Sequence, residues 1–94
     1  MNKKSKLKRE RFKIDKVDKK IFNLIKERTN IVNRMLLLKD TKRQIVDKKR
    51  IIQILKRIRK KSLVNKIDPK ITSQIWKSMI WSYVKYQKKN FVKK

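Results

Sequence analysis

The sequence predicts an all-α fold of three helices, one long N-terminal helix and two shorter ones, and two observations carry this prediction. The chain of 94 residues has no glycine and a single proline, Pro69, so few positions suit the tight turns and corners of a β-sheet protein. Apolar residues also recur at helical spacing almost throughout the chain. We therefore expect helices connected by short polar segments.

The first helix is expected to run from about Leu7 to Leu38, a stretch without a helix breaker. Its roughly 32 residues would extend about 48 Å, which exceeds the diameter of a small domain. Because two shorter helices cannot cover such a long apolar stripe, we expect a second copy of the chain to cover it in an intertwined homodimer. The helical domain is expected at residues 7–91, with a mobile basic N-terminus at 1–6 and a C-terminal tail at 92–94.

The two shorter helices follow a polar segment at residues 39–44. The second helix is predicted over roughly residues 47–62. The side chains expected on its inner side are Ile51, Ile52, Leu55 and Ile58. Asp68 followed by Pro69 predicts the start of the third helix, because an Asp side chain caps free N–H groups and Pro suits the first helical position. This helix is expected to end near Asn90.

The composition excludes several kinds of chemistry. The chain contains no Cys and no His, so disulfides, thiolate nucleophiles, imidazole bases and the usual transition-metal sites are excluded. We expect neither a metal nor a cofactor. The longest unbroken apolar run is the four residues 35–38, too short to cross a bilayer, and the Lys-rich N-terminus lacks the apolar core of a signal peptide. We therefore expect a cytoplasmic protein without a membrane partner.

The net charge of +25, from 32 basic and 7 acidic residues, is the most prominent feature of the composition. It indicates an anionic partner, or an A/T-biased genome that places lysine at permissive surface positions. A nucleic-acid-binding protein would usually concentrate such charge on one face or tail. Here the basic residues extend through the whole chain, so composition alone does not identify the partner.

Charged residues also interrupt the apolar stripe of the first helix. Two columns at heptad spacing form this stripe: Leu7, Ile14, Ile21, Arg28 and Met35 in one, and Arg11, Asp18, Ile25, Val32 and Lys39 in the other. A purely structural helix would have apolar residues there, because an unpaired buried charge destabilises the fold. The three cations Arg11, Arg28 and Lys39 therefore either extend to solvent or converge on a doubly charged anion.

A series of segments resembles the all-helical chorismate mutase family over roughly residues 7–91. The segments are Arg11, IDKVD at 14–18, LIKER at 24–28, Lys39, VDKKR at 46–50, KIDP at 66–69 and Gln87. No single segment is distinctive, but their order, spacing and helical placement are specific together. The resemblance implies an intertwined three-helix homodimer. It also implies a small dicarboxylate substrate, chorismate, which is rearranged to prephenate toward phenylalanine and tyrosine.

The resemblance further implies a role for each matching residue. Lys39, Gln87 and Arg28 would be the catalytic residues. Arg28 would bind one substrate carboxylate, and Arg11 of the partner subunit would bind the other. Lys39 would contact the ether oxygen and a carboxylate, and Gln87 would donate to the same ether oxygen. Fixed donors at this oxygen would stabilise the negative charge that gathers there as the ether bond breaks.

Four residues of the second and third helices complete the expected substrate pocket. Arg50 and the backbone of Asp47 would line it from the second helix, where Asp47 is also a candidate N-cap. Ile51 stands where many mutases have a Glu that binds the ring hydroxyl, and Tyr83 stands where many have a small Ser. These two residues resemble the isochorismate pyruvate lyase branch of the superfamily, which splits isochorismate into salicylate and pyruvate. Asp47 itself is mutase-like, and we keep the lyase as the alternative.

A basic helical nucleic-acid-binding protein without catalysis is a second alternative. The charge supports it, as do four aromatic residues that could stack on bases. They are Trp76, Trp81, Tyr83 and Tyr86. Their helical spacing in the third helix favours packing against the first helix instead. We therefore do not expect a nucleic acid partner.

Overall fold

The computed structural model describes residues 2–93 and is all-α, as predicted. Helix α1 comprises Lys3–Leu37, α2 comprises Lys48–Val64 and α3 comprises Pro69–Asn90. A short 3-10 helix, Lys42–Ile45, lies between α1 and α2. No strand occurs in residues 2–93, and no helix there is both long and apolar enough to serve as a membrane span.

The observed helix bounds match the expected ones closely for α2 and α3 and differ at the start of α1. Helix α1 begins at Lys3 rather than near Leu7, and the side chain of Asn2 accepts a hydrogen bond from Ser5 N at 2.9 Å in its first turn. The expected mobility of residues 1–6 and 92–94 stays a prediction. Met1 and Lys94 lie outside the described residues.

The chain divides into two compact units. The first unit ends at Asn33 and consists of the greater part of α1. The second unit begins at Arg34 and contains the end of α1, the 3-10 helix, α2 and α3. Its core is formed by Leu36, Ile45 and Val84, with Val46 and Phe91 packed against them.

Aspartate side chains cap α2 and α3, which confirms both predicted start signals. Asp47 Oδ1 accepts a hydrogen bond from Arg50 N at 3.0 Å, and Asp68 Oδ1 accepts one from Lys70 N at 2.9 Å. Pro69 occupies the first turn of α3. Each carboxylate satisfies an N–H group that has no partner within its helix. Residues close in sequence therefore fix where both helices begin.

The inner face of α2 is rotated slightly from the predicted one. Ile51, Leu55 and Ile58 are half-buried as expected, but Ile52 is 54% exposed, so its assignment to the inner face was wrong. Ile54 is half-buried instead. Residues 51, 54, 55 and 58 follow the spacing of three and four that defines one helical face, whereas residue 52 lies about 100° away from residue 51. The apolar character of Ile52 gave no information on this rotation.

Helix α2 ends in a motif that usually requires glycine. Ile67 N donates to Ser62 O at 2.9 Å and Lys66 N donates to Leu63 O at 3.3 Å. This double hydrogen bond defines a Schellman motif, which places one residue in the left-handed region. That residue is Lys66, with φ of 57°. A side chain with a Cβ is disfavoured in this region by roughly 1–2 kcal/mol.

The junction of α2 and α3 buries a pair of hydroxyl groups. Ser62 is only 3% exposed. Its Oγ lies 2.6 Å from Ile58 O and 2.6 Å from Thr72 Oγ1. Because these contacts satisfy the hydroxyl group, its burial does not leave an unpaired polar atom. The pair links the end of α2 to the beginning of α3.

Replacing Lys66 with Gly is expected to stabilise the protein. Relief of the left-handed strain, roughly 1–2 kcal/mol, exceeds the extra freedom that Gly gives the unfolded chain, about 0.5–1 kcal/mol. We expect the free energy of unfolding, measured by urea denaturation, to rise by roughly 0.5–1 kcal/mol in Lys66→Gly. The control Lys60→Gly, inside α2, should lower it by about 1 kcal/mol. Equal losses in the two variants would contradict the left-handed conformation of Lys66.

Candidate active site

Lys39 and Gln87, the two residues expected at the ether oxygen, are in direct contact. Lys39 Nζ donates a hydrogen bond to Gln87 Oε1 at 2.8 Å. The residues are 48 positions apart in sequence, so local propensity cannot bring them together. Gln87 is 7% exposed and Lys39 is half-buried. The contact therefore lies partly out of bulk water, where a hydrogen bond to a charged group is strong.

The packing beneath the pair explains its position. Leu36 and Val84 belong to the core of the second unit. Lys39 and Gln87 each follow one of these core residues by three positions, and Lys39 N donates to Leu36 O at 3.2 Å. On α3, residues three apart lie on the same helical face, so Gln87 is buried beside Val84. Burial of the two apolar side chains thus sets the register of the two polar ones.

Both ends of the Gln87 amide have partners, which fixes the orientation of the side chain. An ammonium group can only donate, so the amide oxygen must face Lys39. The amide nitrogen, Nε2, donates to Tyr83 O at 3.2 Å on the preceding turn of α3. The amide NH₂ has two hydrogens and the ammonium group has three. One donor of Gln87 and two of Lys39 are therefore not used by these contacts.

The charge of Lys39 is incompletely compensated. Burial lowers the pKa of Lys39 below its ordinary value, and the nearby carboxylate of Asp47 opposes this by raising the pKa. Gln87 is neutral and supplies a dipole rather than a charge. An anion that binds here would stabilise the partly dehydrated ammonium group of Lys39, because it would restore the favourable interactions that water no longer provides.

An open cavity of about 1100 Å³ adjoins Lys39, and we call it the basic cavity. Its lining residues are Lys39, Lys42, Arg43, Gln44, Val46, Asp47, Lys48 and Lys88. Five of these eight side chains are cationic, and Asp47 is the one carboxylate among them. All of them belong to the second unit. This chemistry favours a small anion with more than one negative charge.

The connection between α1 and α2 is held by the side chain of Gln44. Its Oε1 accepts hydrogen bonds from Asp40 N at 2.6 Å and from Thr41 N at 3.0 Å. Ile45, the next residue, is buried in the core. These contacts give a defined conformation to the segment that contributes Lys42 and Arg43 to the basic cavity.

The other expected site residues of the second unit are distributed differently. Asp47 lines the basic cavity and also caps α2, so the N-cap prediction is confirmed. Arg50 is exposed, and Ile51 and Tyr83 are half-buried. Among the described residues, the lining of the basic cavity does not include these three side chains. Tyr83 packs edge to face against Tyr86, with ring centroids 6.5 Å apart.

Arg11 and Arg28, the expected carboxylate ligands, lie in the part of α1 that belongs to the first unit. Arg11 is exposed and Arg28 is half-buried. In the same unit, Lys13 forms an ion pair with Glu10 at 3.0 Å. The roles of both arginines in substrate binding stay predictions.

Sequence reasoning missed four cations of the basic cavity. They are Lys42, Arg43, Lys48 and Lys88. Their residue types gave no usable signal, because they are hidden among 32 basic residues. Only the tertiary structure shows that these four cations line one cavity.

Comparison with known proteins identifies the family of the chain. The family model described as chorismate mutase type II matches residues 10–88. No curated protein and no solved structure matches the chain. The matched segment spans well over half of the sequence and includes every candidate residue from Arg11 to Gln87. The chain therefore belongs to the type II chorismate mutase family.

Proposed function

We propose that this protein catalyses the rearrangement of chorismate to prephenate. The observation that carries the proposal is the hydrogen bond between Lys39 and Gln87 at the edge of a cavity lined by cations. Family membership supports it. In this reaction a C–O bond breaks and a C–C bond forms within one molecule. The protein need not supply a nucleophile or accept a proton, which agrees with a chain without His or Cys.

The free donors of Lys39 and Gln87 account for the proposed catalytic step. Of the two remaining hydrogens of the ammonium, one would donate to the ether oxygen and the other to a substrate carboxylate. The second hydrogen of Gln87 Nε2 would donate to the same ether oxygen without breaking its bond to Tyr83 O. Hydrogen bonds hold both side chains in the absence of substrate, so little reorganisation would accompany the development of negative charge on that oxygen.

The remaining roles follow the family pattern and are part of the proposal. Arg28 binds one carboxylate of the substrate, and Arg11 of the partner subunit binds the other. The side chain of Arg50, which does not line the basic cavity of the single chain, and the backbone of Asp47 would contact the substrate from the start of α2. Holding both carboxylates would select the folded conformer of chorismate in which the reacting carbon atoms are close.

A homodimer is proposed because the first unit leaves an extensive apolar surface uncovered. Nine large apolar side chains in this unit are between 42% and 68% exposed. They are Leu7, Phe12, Ile14, Val17, Ile21, Phe22, Leu24, Ile25 and Ile31. By helical spacing, all of them except Phe12 and Phe22 fall on one face of α1, and an exposed apolar face of this extent is rare on a monomeric protein. A second copy of α1 would bury it and would bring Arg11 to the partner's site.

Isochorismate pyruvate lyase activity is the second candidate, and Ile51 and Tyr83 favour it. Ile51 is a half-buried apolar residue directly after Arg50, where a Glu would hydrogen-bond the ring hydroxyl of chorismate. The lyase reaction would use the same cations to hold isochorismate while pyruvate leaves and salicylate forms. Asp47 agrees better with the mutase, which we therefore place first.

Purified protein is expected to convert chorismate to prephenate, and Lys39→Ala should lower kcat by about 10²–10³-fold, the usual effect of removing one oxyanion donor. Prephenate formation and loss of chorismate absorbance are the measurements, with isochorismate assayed in parallel. Lys56→Ala, which removes an exposed lysine of α2, is the charge-matched control and should keep full activity.

Two outcomes would change this assignment. Salicylate from isochorismate with no loss of chorismate would replace the mutase by the lyase. Unchanged turnover in a folded Lys39→Ala variant, verified by circular dichroism, would refute the catalytic role of Lys39.

The pH dependence should report the lowered pKa of Lys39. The protonated amine is the active form, so kcat/KM is expected to fall as pH rises through the pKa of Lys39 in the free enzyme, which lies below 10.5. Asp47→Asn should move this fall to lower pH, because the Asp47 charge raises the pKa. Lys39→Arg should abolish it, because guanidinium stays protonated. A fall centred at or above 10.5 would contradict the proposed state of Lys39.

Complementation between inactive variants should reveal whether Arg11 acts across the dimer. Arg11→Ala and Lys39→Ala homodimers each lack one essential cation at both sites. After subunit exchange, each mixed dimer would contain one intact site, so an equimolar mixture should recover about a quarter of wild-type activity. Recovery is measured as kcat per protomer, and sedimentation verifies the dimer. A mixture that stays inactive after verified exchange would show that Arg11 acts within its own chain or not at all.

A further inference from the structure

Four cations surround the basic cavity without belonging to the expected substrate-contacting set, and we call them the rim cations. Lys42 and Arg43 come from the 3-10 helix, Lys48 is the first residue of α2, and Lys88 lies in the last turn of α3. All four are exposed. Three separate elements thus present positive charge to one opening.

The lining of the basic cavity has more positive charge than a dicarboxylate would neutralise. Lys39 and the rim cations are opposed by Asp47 alone, and the Asp47 side chain already accepts a hydrogen bond from the backbone of α2. Within residues 2–93, none of the five cations forms an ion pair with a carboxylate. The opening therefore has a positive potential that a bound dianion would only partly cancel.

The position of Lys48 is unfavourable for helix stability. The N-terminus of a helix has a partial positive charge, and a cation there destabilises the helix by roughly 0.3–1 kcal/mol. The first turn of α2 nevertheless contains Lys48, Lys49 and Arg50 and no acidic residue. By contrast, Lys88 lies near the C-terminus of α3, where a cation is favourable. The stability of α2 thus gives no reason for the charge of Lys48.

We propose that the rim cations capture the substrate dianion and guide it to Lys39. The identity of that substrate rests on the proposed function. The rim cations are solvent-exposed, so they act by long-range attraction rather than by contact with the reacting atoms. Such attraction raises the concentration of an anion at the site and its rate of association, commonly by 10–10³-fold at low ionic strength. It should increase kcat/KM and leave kcat unchanged, because it does not distinguish bound substrate from the transition state.

The experiment must separate the rim cations from the overall charge of +25. The rim variant replaces Lys42, Arg43, Lys48 and Lys88 with Gln. The control variant replaces Lys56, Arg57, Lys60 and Lys70 with Gln. Each variant loses three lysines and one arginine and therefore has the same net charge, and the control residues are exposed and do not line the basic cavity.

Steady-state kinetics at low and at physiological ionic strength is the measurement. We expect the rim variant to lose at least about tenfold in kcat/KM at low ionic strength, with kcat within about twofold of wild type. Salt should lower kcat/KM of the wild type and the control variant, and should affect the rim variant much less. Equal losses of kcat/KM in the two variants, or a loss confined to kcat in the rim variant, would overturn the proposal.

A binding measurement tests the rim cations independently of turnover. Malate, a simple dicarboxylate, is titrated at low ionic strength and the backbone amide signals of residues 39–48 are followed by NMR. These signals should shift in the wild type and in the control variant, and should shift much less in the rim variant. Absence of shifts in the wild type would overturn the proposal. If neither chorismate nor isochorismate is turned over while these shifts occur, the proposed function fails and the anion-capturing role of the rim cations stands.

Discussion

The hydrogen bond from the Lys39 ammonium to the Gln87 amide is the interaction on which the proposed chemistry depends. It holds a cation at 2.8 Å from a neutral dipole in a partly dehydrated position, where burial lowers the pKa of the lysine. The same geometry leaves donors of both side chains available for an oxygen atom that becomes negative. A lysine at the surface would be surrounded by water, and its interaction with an anion would be largely screened.

Apolar packing and helix capping hold this polar pair in place. Leu36 and Val84 meet in the core. Leu36 precedes Lys39 by three positions, and Val84 precedes Gln87 by three positions. Asp47 has two functions, because it caps α2 and also raises the pKa of Lys39 against the effect of burial. Site and scaffold are thus built from neighbouring residues of the same elements.

The large positive charge of the chain has different consequences at different places. The exposed cations of α2 that do not line the basic cavity form no ion pair within residues 2–93. This agrees with lysines placed at permissive surface positions. Around the basic cavity, cations from three elements face one opening with Asp47 as the one carboxylate in its lining. The physical effect of a charge depends on the dielectric walls and on the neighbouring charges around it, so equal residue types have unequal roles.

The sequence by itself determined the helical class, the bounds of α2 and α3, the aspartate caps and the family, because each depends on residues close together in the chain or on ordered motifs. Through the resemblance it also predicted Lys39 and Gln87 as site residues, although not their contact. Tertiary structure alone decided that these two side chains touch and that Ile52 faces outward. It also decided that Lys66 adopts a left-handed conformation in a chain without glycine. Finally, it brought four cations to one cavity: Lys42, Arg43, Lys48 and Lys88. The contact, the outward face and the shared cavity depend on how the helices rotate and pack against one another, and residue type and local spacing do not specify that rotation. The conformation of Lys66 depends on the hydrogen bonds that end α2, and no glycine marks their position in the sequence.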